Sequence, residues 1–188
     1  RDVAPSRGLG DVYKRQITDI LNKIEVKAGD VVMVKAGTIH AIGAGVFICE
    51  IQQNSNCTYR MYDYDRRDKF GNPRELHVKK ALDVVDNHKY IKDNKTEVVI
   101  ARNEHFTEER LVQCKYFEVY KYDVNDEAKI TVDEASFVSV LFINGSGTIE
   151  TDDYEKTMEF KAGDSFFVSA GLRSIIIKGQ ATMVVTRV

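Results

Sequence analysis

The hydrophobic positions along this chain change their spacing twice. From Val46 to Gln53 (VFICEIQQ) they alternate, with Phe47, Cys49 and Ile51 on one side and Glu50 and Gln52 on the other. That is the period of a half-buried strand. After a polar turn, Asn54-Ser55-Asn56, a second alternating run from Thr58 to about Asp65 puts Arg60, Tyr62 and Tyr64 on one face. The spacing then lengthens. Val78, Ala81, Leu82 and Val85 recur at helical intervals, which predicts one apolar stripe. Ahead of them Asn72 can cap, Pro73 suits a first helical position, and Glu75 stands where a capping-box acid belongs. A polar link, KDNKTE at 92–97, follows. From about residue 98 the pattern is strands only, at 111–123, 137–143, 147–151, 156–160, 165–169 and 174–187. Asn144-Gly145-Ser146-Gly147 reads as a turn between two of them.

The pattern also repeats. EVKAGDVVMVKAGTIHAI at 25–42 aligns without a gap to EFKAGDSFFVSAGLRSII at 159–176, with nine of eighteen positions identical. In each copy Gly-Asp ends a turn, an apolar run follows as a buried strand, and Ala-Gly marks the next bend. One structural unit used twice is the expectation. The copies differ where chemistry would sit: His40 corresponds to Ser174 and Glu50 to Val184. The second copy is preceded by a complete strand–turn–strand pair, the first only by the short apolar segment ITDILNKI. The chain therefore reads as the C-terminal part of a longer protein. Residues 1–16, without periodicity, read as non-native or disordered.

Composition narrows the function classes. A 43% hydrophobic content predicts a packed core, and a net charge of −2 with interspersed signs points to neither nucleic acid nor membrane. No apolar run approaches the ~20 residues of a membrane helix. Cys49, Cys57 and Cys114 form no CxxC pair, the usage of a reducing cytoplasm.

The stretch from Gly29 through Gly37 to His40 resembles the second motif of the cupins, small β-barrels that hold a metal inside, with Lys35 where most cupins have proline. A sharper resemblance runs from Gly37 to Asp86. GTIHAIG, EIQQNS, TYRMYDYDR and RELHVKKALDV together resemble the catalytic core of the type I mannose-6-phosphate isomerases, in their short bacterial form. The resemblance implies a mainly β fold: a jelly-roll barrel of the cupin type, partial in a first cupin at 17–90 that carries one short helix, and a second cupin-like domain at 96–188.

It also implies an activity. The family interconverts mannose 6-phosphate and fructose 6-phosphate with one zinc ion, held by a Gln-x-His pair, a glutamate and a later histidine. Only the last ligand maps here, onto His40. An arginine needed for catalysis maps onto Arg60 and an active-site glutamate onto Glu50. The chemistry suits these types. Zinc polarises a carbonyl, a carboxylate moves a proton, and a guanidinium forks onto an enediolate or phosphate. Arg66 and Lys79 are candidates for phosphate contacts. With one mapped ligand, this chain alone is expected to bind zinc weakly and to be nearly inactive.

The partner expected is a small-molecule sugar phosphate, with no preference for an oligomeric state. Rival readings are a non-catalytic sugar-phosphate-binding cupin and another metal-dependent cupin enzyme. Individual residues have rivals too. His40 can be structural, and Glu50 can simply pair with Arg60. Arg66, Arg67 and Asp68 read as a solvated turn. His77, His88 and His105 read as surface residues.

Overall fold

The computed structural model describes residues 17–86, 88, 98–151 and 154–188, apart from the side chains of 154–156. The expectations for residues 1–16 and for the link at 92–97 lie outside them. The chain divides into two units between Lys92 and Asp93.

The second unit is built of antiparallel strands. They are β1 (Val98–Arg102), β2 (Phe106–Gln113), β3 (Glu118–Val124), β4 (Glu127–Val132), β5 (Val138–Thr151), β6 (Tyr154–Lys161), β7 (Ser165–Val168) and β8 (Arg173–Arg187). The hydrogen-bonded order is β1-β2-β3-β8-β5-β6, with β4 also pairing β8 and β7 also pairing β5. The two longest strands organise everything. β8 pairs β4 through residues 173–178 and β3 through 181–187, and it lies along β5 for almost its whole length. A strand shared in this way carries the chain from one layer to the other and closes the core between them.

The core is apolar throughout. Ile130, Val140, Phe142, Ile177, Met183 and Val185 are fully buried, and the Phe142 ring stacks on Phe160 with centroids 3.7 Å apart. Burying each such side chain stabilises the fold by roughly 1.5–3 kcal/mol.

Three sequence expectations for this unit are corrected. The run at 111–123 is two strands, because the chain reverses at Cys114–Phe117. There the Cys114 amide donates to the Phe117 carbonyl and the Tyr116 amide to the Cys114 sulfur. β4 went unpredicted although EAKITV alternates cleanly, with Ala128, Ile130 and Val132 buried. Asn144–Gly147 is not a turn but the middle of β5. Its glycines are needed for close approach: a Cβ on Gly145 or Gly147 would overlap the carbonyl oxygens of Gln180 or Lys178 on β8. The ladder slips by one residue between Phe142 and Asn144, so β5 bends there instead of reversing.

Among its described residues the first unit holds a helical turn at 17–20 and one helix, α1 (Val78–Val84). No strand lies among its described residues; the runs at 46–53 and 58–65 and the one after Gly29-Asp30 form no ladder. Alternation tells which face a strand would bury, but a strand also needs a neighbour for its amides and carbonyls. Phe47, on the predicted apolar face, is 96% exposed. The helix also starts later than expected. His77, not Asn72, is its N-cap, and no side chain caps it. Asn72 is used elsewhere: its amide donates to Asp68 in the turn that precedes the helix. Of the apolar stripe only Ala81 is buried; Val78 and Leu82 are exposed.

The duplicated turn folds the same way twice. The Asp30 amide donates to the Lys27 carbonyl and the Asp164 amide to the Lys161 carbonyl, each at 3.1 Å. Each aspartate then accepts the lysine's own amide, at 3.3 and 2.9 Å. Gly29 and Gly163 carry the left-handed residue of this turn, with φ of +90° and +91°.

Candidate functional site

The candidate residues lie in the first unit, and the turns of the repeat place the first of them. The Thr38 amide closes the second turn on the Lys35 carbonyl, and two residues later His40 is exposed. Its Nδ1 lies 2.9 Å from the Thr38 carbonyl. A carbonyl only accepts, so Nδ1 carries the proton and Nε2 keeps its lone pair. That is the tautomer of an imidazole oriented as a ligand. Glu50 is exposed.

Arg60 is the most firmly held of the candidates. Its Nη1 donates to the Glu75 carbonyl at 3.1 Å, and its Nε stands 3.8 Å from Asp63. Its backbone is tied to His77: the His77 amide donates to the Arg60 carbonyl at 2.7 Å, and the Arg60 amide donates to His77 Nδ1 at 3.3 Å. Asp63, buried, is gripped by Arg74 through two hydrogen bonds, Nε to Oδ2 at 2.6 Å and Nη2 to Oδ1. The bond from Arg74, and then the charges of Arg74, Arg60 and Arg66, hold its carboxyl below the usual range. The Arg74 and Arg60 guanidinium groups thus stand at one carboxylate, and the Arg66 charge acts on it from farther away.

Arg66 enters this cluster through a tight turn. Its amide donates to the Asp63 carbonyl at 2.9 Å, while Tyr64 and Asp65 both take left-handed backbone angles, φ of 51° and 53°. The predicted alternation of Arg60, Tyr62 and Tyr64 therefore stops at a turn. Lys79 is exposed on the first turn of α1. Arg67 and Asp68 belong to the neighbouring loop, where Arg67 donates to the Gly71 carbonyl at 2.8 Å.

Among the described residues no hydrogen bond or ion pair joins His40, Glu50 and Arg60 to one another. What the structure brings together is Arg60, Asp63, Arg66, Arg74 and His77. Asp63 and Arg74 escaped the sequence reading, and His77, read as a surface residue, is half-buried against Arg60. A signal existed. Arg60 faces His77 and Asp63 faces Arg74 at one antiparallel register across the Asp68–Asn72 turn, and the second of these pairs is of opposite charge.

One imidazole with its Nε2 lone pair available suits zinc, but structural and catalytic zinc sites take three or four protein ligands. Among the described residues no group of three His, Cys, Asp or Glu is placed to hold a metal ion. These residues alone do not make a zinc site.

The second copy of the repeat is plainly different. Ser174, at the position of His40, is 1% exposed within a core of aliphatic and aromatic side chains.

Residues 107–188 match the family model described as mannose-6-phosphate isomerase, cupin domain. YvyI of Bacillus subtilis (strain 168), provisionally named a mannose-6-phosphate isomerase, is 42% identical over 174 residues, which is 90% of this chain and 52% of that protein. The chain thus resembles the mannose-6-phosphate isomerases, and it spans about half the length of the curated relatives it matches. Mannose-6-phosphate isomerase ManA of the same organism is 34% identical over 89% of this chain and 52% of its own. A crystal structure of mannose 6-phosphate isomerase from Bacillus subtilis superposes with a TM-score of 0.64 at 39% identity, covering 72% of this chain and 42% of that one. The mainly β fold is thus the cupin fold of the mannose-6-phosphate isomerases. No helix among the described residues is long and apolar enough to cross a membrane.

Proposed function

We propose that this chain supplies part of the active site of a cytoplasmic, zinc-dependent isomerase that interconverts mannose 6-phosphate and fructose 6-phosphate through an enediol. The observation that carries the reading is the arginine cluster on Asp63, in a chain related to these isomerases along 90% of its length. Moving a proton between adjacent sugar carbons places negative charge on an oxygen, and the substrate brings a phosphate besides. A guanidinium held in advance stabilises such charge without reorganising at the moment of reaction. Arg60 has that role. Arg66 and Lys79 contact phosphate, and Glu50 serves in proton transfer. His40 is one zinc ligand, completed by donors beyond those described here. In this reading 17–90 is the catalytic portion and 96–188 a cupin-like support.

The test is a chimera in which residues 17–188 replace the matching half of Bacillus subtilis mannose-6-phosphate isomerase. It should isomerise mannose 6-phosphate, and Arg60→Ala should lower kcat/KM by about 10²-fold or more. A folded chimera that turns over no substrate, or one indifferent to Arg60→Ala, overturns the proposal. His40→Ala should remove zinc from the chimera, and unchanged zinc content would sink that ligand assignment. The 188-residue chain by itself should show no turnover above background with zinc added.

A second reading, sugar-phosphate binding without catalysis, draws on the same arginines. A chimera that binds mannose 6-phosphate but leaves it unchanged would favour it.

A further inference from the structure

The helix α1 begins on a residue poorly suited to begin it. An N-cap is ordinarily Ser, Thr, Asp or Asn, whose side-chain oxygen accepts one of the free amides of the first turn. Here the N-cap is His77, its side chain makes no such bond, and no acidic residue stands in the first turn. Only the His77 carbonyl serves the helix, accepting the Ala81 amide at 2.9 Å. The acceptor on its ring serves another segment. Nδ1 takes the Arg60 amide at 3.3 Å, seventeen residues back along the chain.

That bond completes a clamp on Arg60. The His77 amide donates to the Arg60 carbonyl at 2.7 Å, so the peptide groups on both sides of the Arg60 Cα are tied to one residue. In a regular antiparallel pair a backbone carbonyl would receive the Arg60 amide. Here the ring nitrogen takes its place. An amide only donates, so Nδ1 keeps its lone pair and the proton of the neutral ring sits on Nε2. The imidazole is 22% exposed. Beside it lie the Tyr59 ring, with centroids 6.3 Å apart, and the Glu75 carboxylate, 3.7 Å from Nε2 and beyond hydrogen-bond reach. The Glu75 carbonyl meanwhile accepts Arg60 Nη1 at 3.1 Å. The guanidinium is thus held at its tip and at its root by the same short segment.

We propose that His77 is a positioning residue for Arg60: its ring acceptor fixes the backbone from which the guanidinium meets the negative charge formed in isomerisation. The catalytic half of this statement rests on the isomerase reading, whereas the clamp does not. A misplacement of a catalytic group by about 1 Å can lower a rate by about 10²-fold, which gives a residue that never touches substrate a large effect on turnover.

His77→Ser separates this role from a structural one. Serine can cap α1 but is too short to reach the Arg60 amide. In the full chain the variant should unfold at no lower temperature. Hydrogen exchange at the Arg60 amide should nevertheless quicken by about five-fold or more, the loss of one hydrogen bond. In the chimera with Bacillus subtilis mannose-6-phosphate isomerase, kcat should fall by about ten-fold or more while KM changes by less. Placed on Arg60→Ala, the same change should lower kcat by less than about two-fold, because the group it positions is gone. An unmoved kcat, or an equal loss with and without Arg60, overturns the proposal. So does Arg60 exchange that does not quicken. An inactive chimera sinks the isomerase reading instead, and the exchange measurement still decides the clamp. Should the serine variant fail to fold, ¹⁵N NMR of the His77 ring in the unmodified chain decides: a neutral ring with its proton on Nε2 is expected, and one protonated at Nδ1 overturns the proposal.

Discussion

Asp63 shows how a single carboxylate can arrange cations that would otherwise repel each other. Arg74 forks onto it, Arg60 stands 3.8 Å away, and the Arg66 amide reaches its carbonyl. Its folded-state pKa is depressed, so the stabilisation is present above the ordinary carboxylate pKa of ~3.9 and is lost as pH falls through the folded value. Arg74→Met should move the NMR titration midpoint of the Asp63 carboxyl upward, toward the ordinary value. A midpoint unmoved would mean that Arg74 is not what holds it. His105 has the opposite sign. Its Nδ1 lies 2.9 Å from Asp126 Oδ2, and that hydrogen bond chiefly raises its pKa. The pair's contribution is therefore complete below the unfolded histidine pKa of ~6.5 and lost as pH rises through the folded one. Thermal unfolding of His105→Ala should fall short of the unmodified protein near pH 5 and approach it near pH 9. At this scale the sequence was legible only where a motif spoke. His40, Glu50 and Arg60 were picked out within recognisable runs; Asp63, Arg74 and His77 lie in the same runs but matter because of what they face across a turn.

At the scale of elements, β5 shows why local signals fail. Asn-Gly-Ser-Gly has the composition of a hairpin, and nothing in it distinguishes a reversal from a close crossing. The carbonyls of Gln180 and Lys178 decide, since they leave no space for a side chain. Gly145→Ala should cost about 1–3 kcal/mol by forcing β5 off β8, read by chemical denaturation. An equal or greater stability would show that the strands can part there at no cost. The helix gives the same lesson. Asn72, Pro73 and Glu75 have the right identities for a helix start, yet the Asp68 carboxylate captures the Asn72 amide and the helix begins at Val78. Capping residues satisfy whichever amides lie nearest, and a second acceptor four residues back competes for them. β4 was readable from EAKITV by its alternation alone.

The two units differ as whole bodies. In the second, every long strand has neighbours and the core excludes water, so Phe142→Ala should destabilise it by about 3–5 kcal/mol. In the first, the segment 46–53 has no described ladder and Phe47 stands exposed. Hydrogen exchange should therefore be slow in β5 and β8 and fast across 46–53. Strong protection of 46–53 in the isolated chain would contradict this difference.

The sequence by itself determined the mainly β class, the duplicated Lys-Ala-Gly-Asp turn and the resemblance to the mannose-6-phosphate isomerases. These depend on periodicity, on φ-tolerant glycines and on contiguous motifs, all of which act within a few residues. Tertiary structure alone decided which alternating runs became strands and that Asn144–Gly147 passes straight through the sheet. It also decided that Asp63 gathers arginines and that the row of β8 through Met183 and Val185 ends on Arg187, whose guanidinium lies over the Tyr120 ring. Each of these depends on which distant backbone or charge lies alongside, and that is a property of the folded chain rather than of any segment in it.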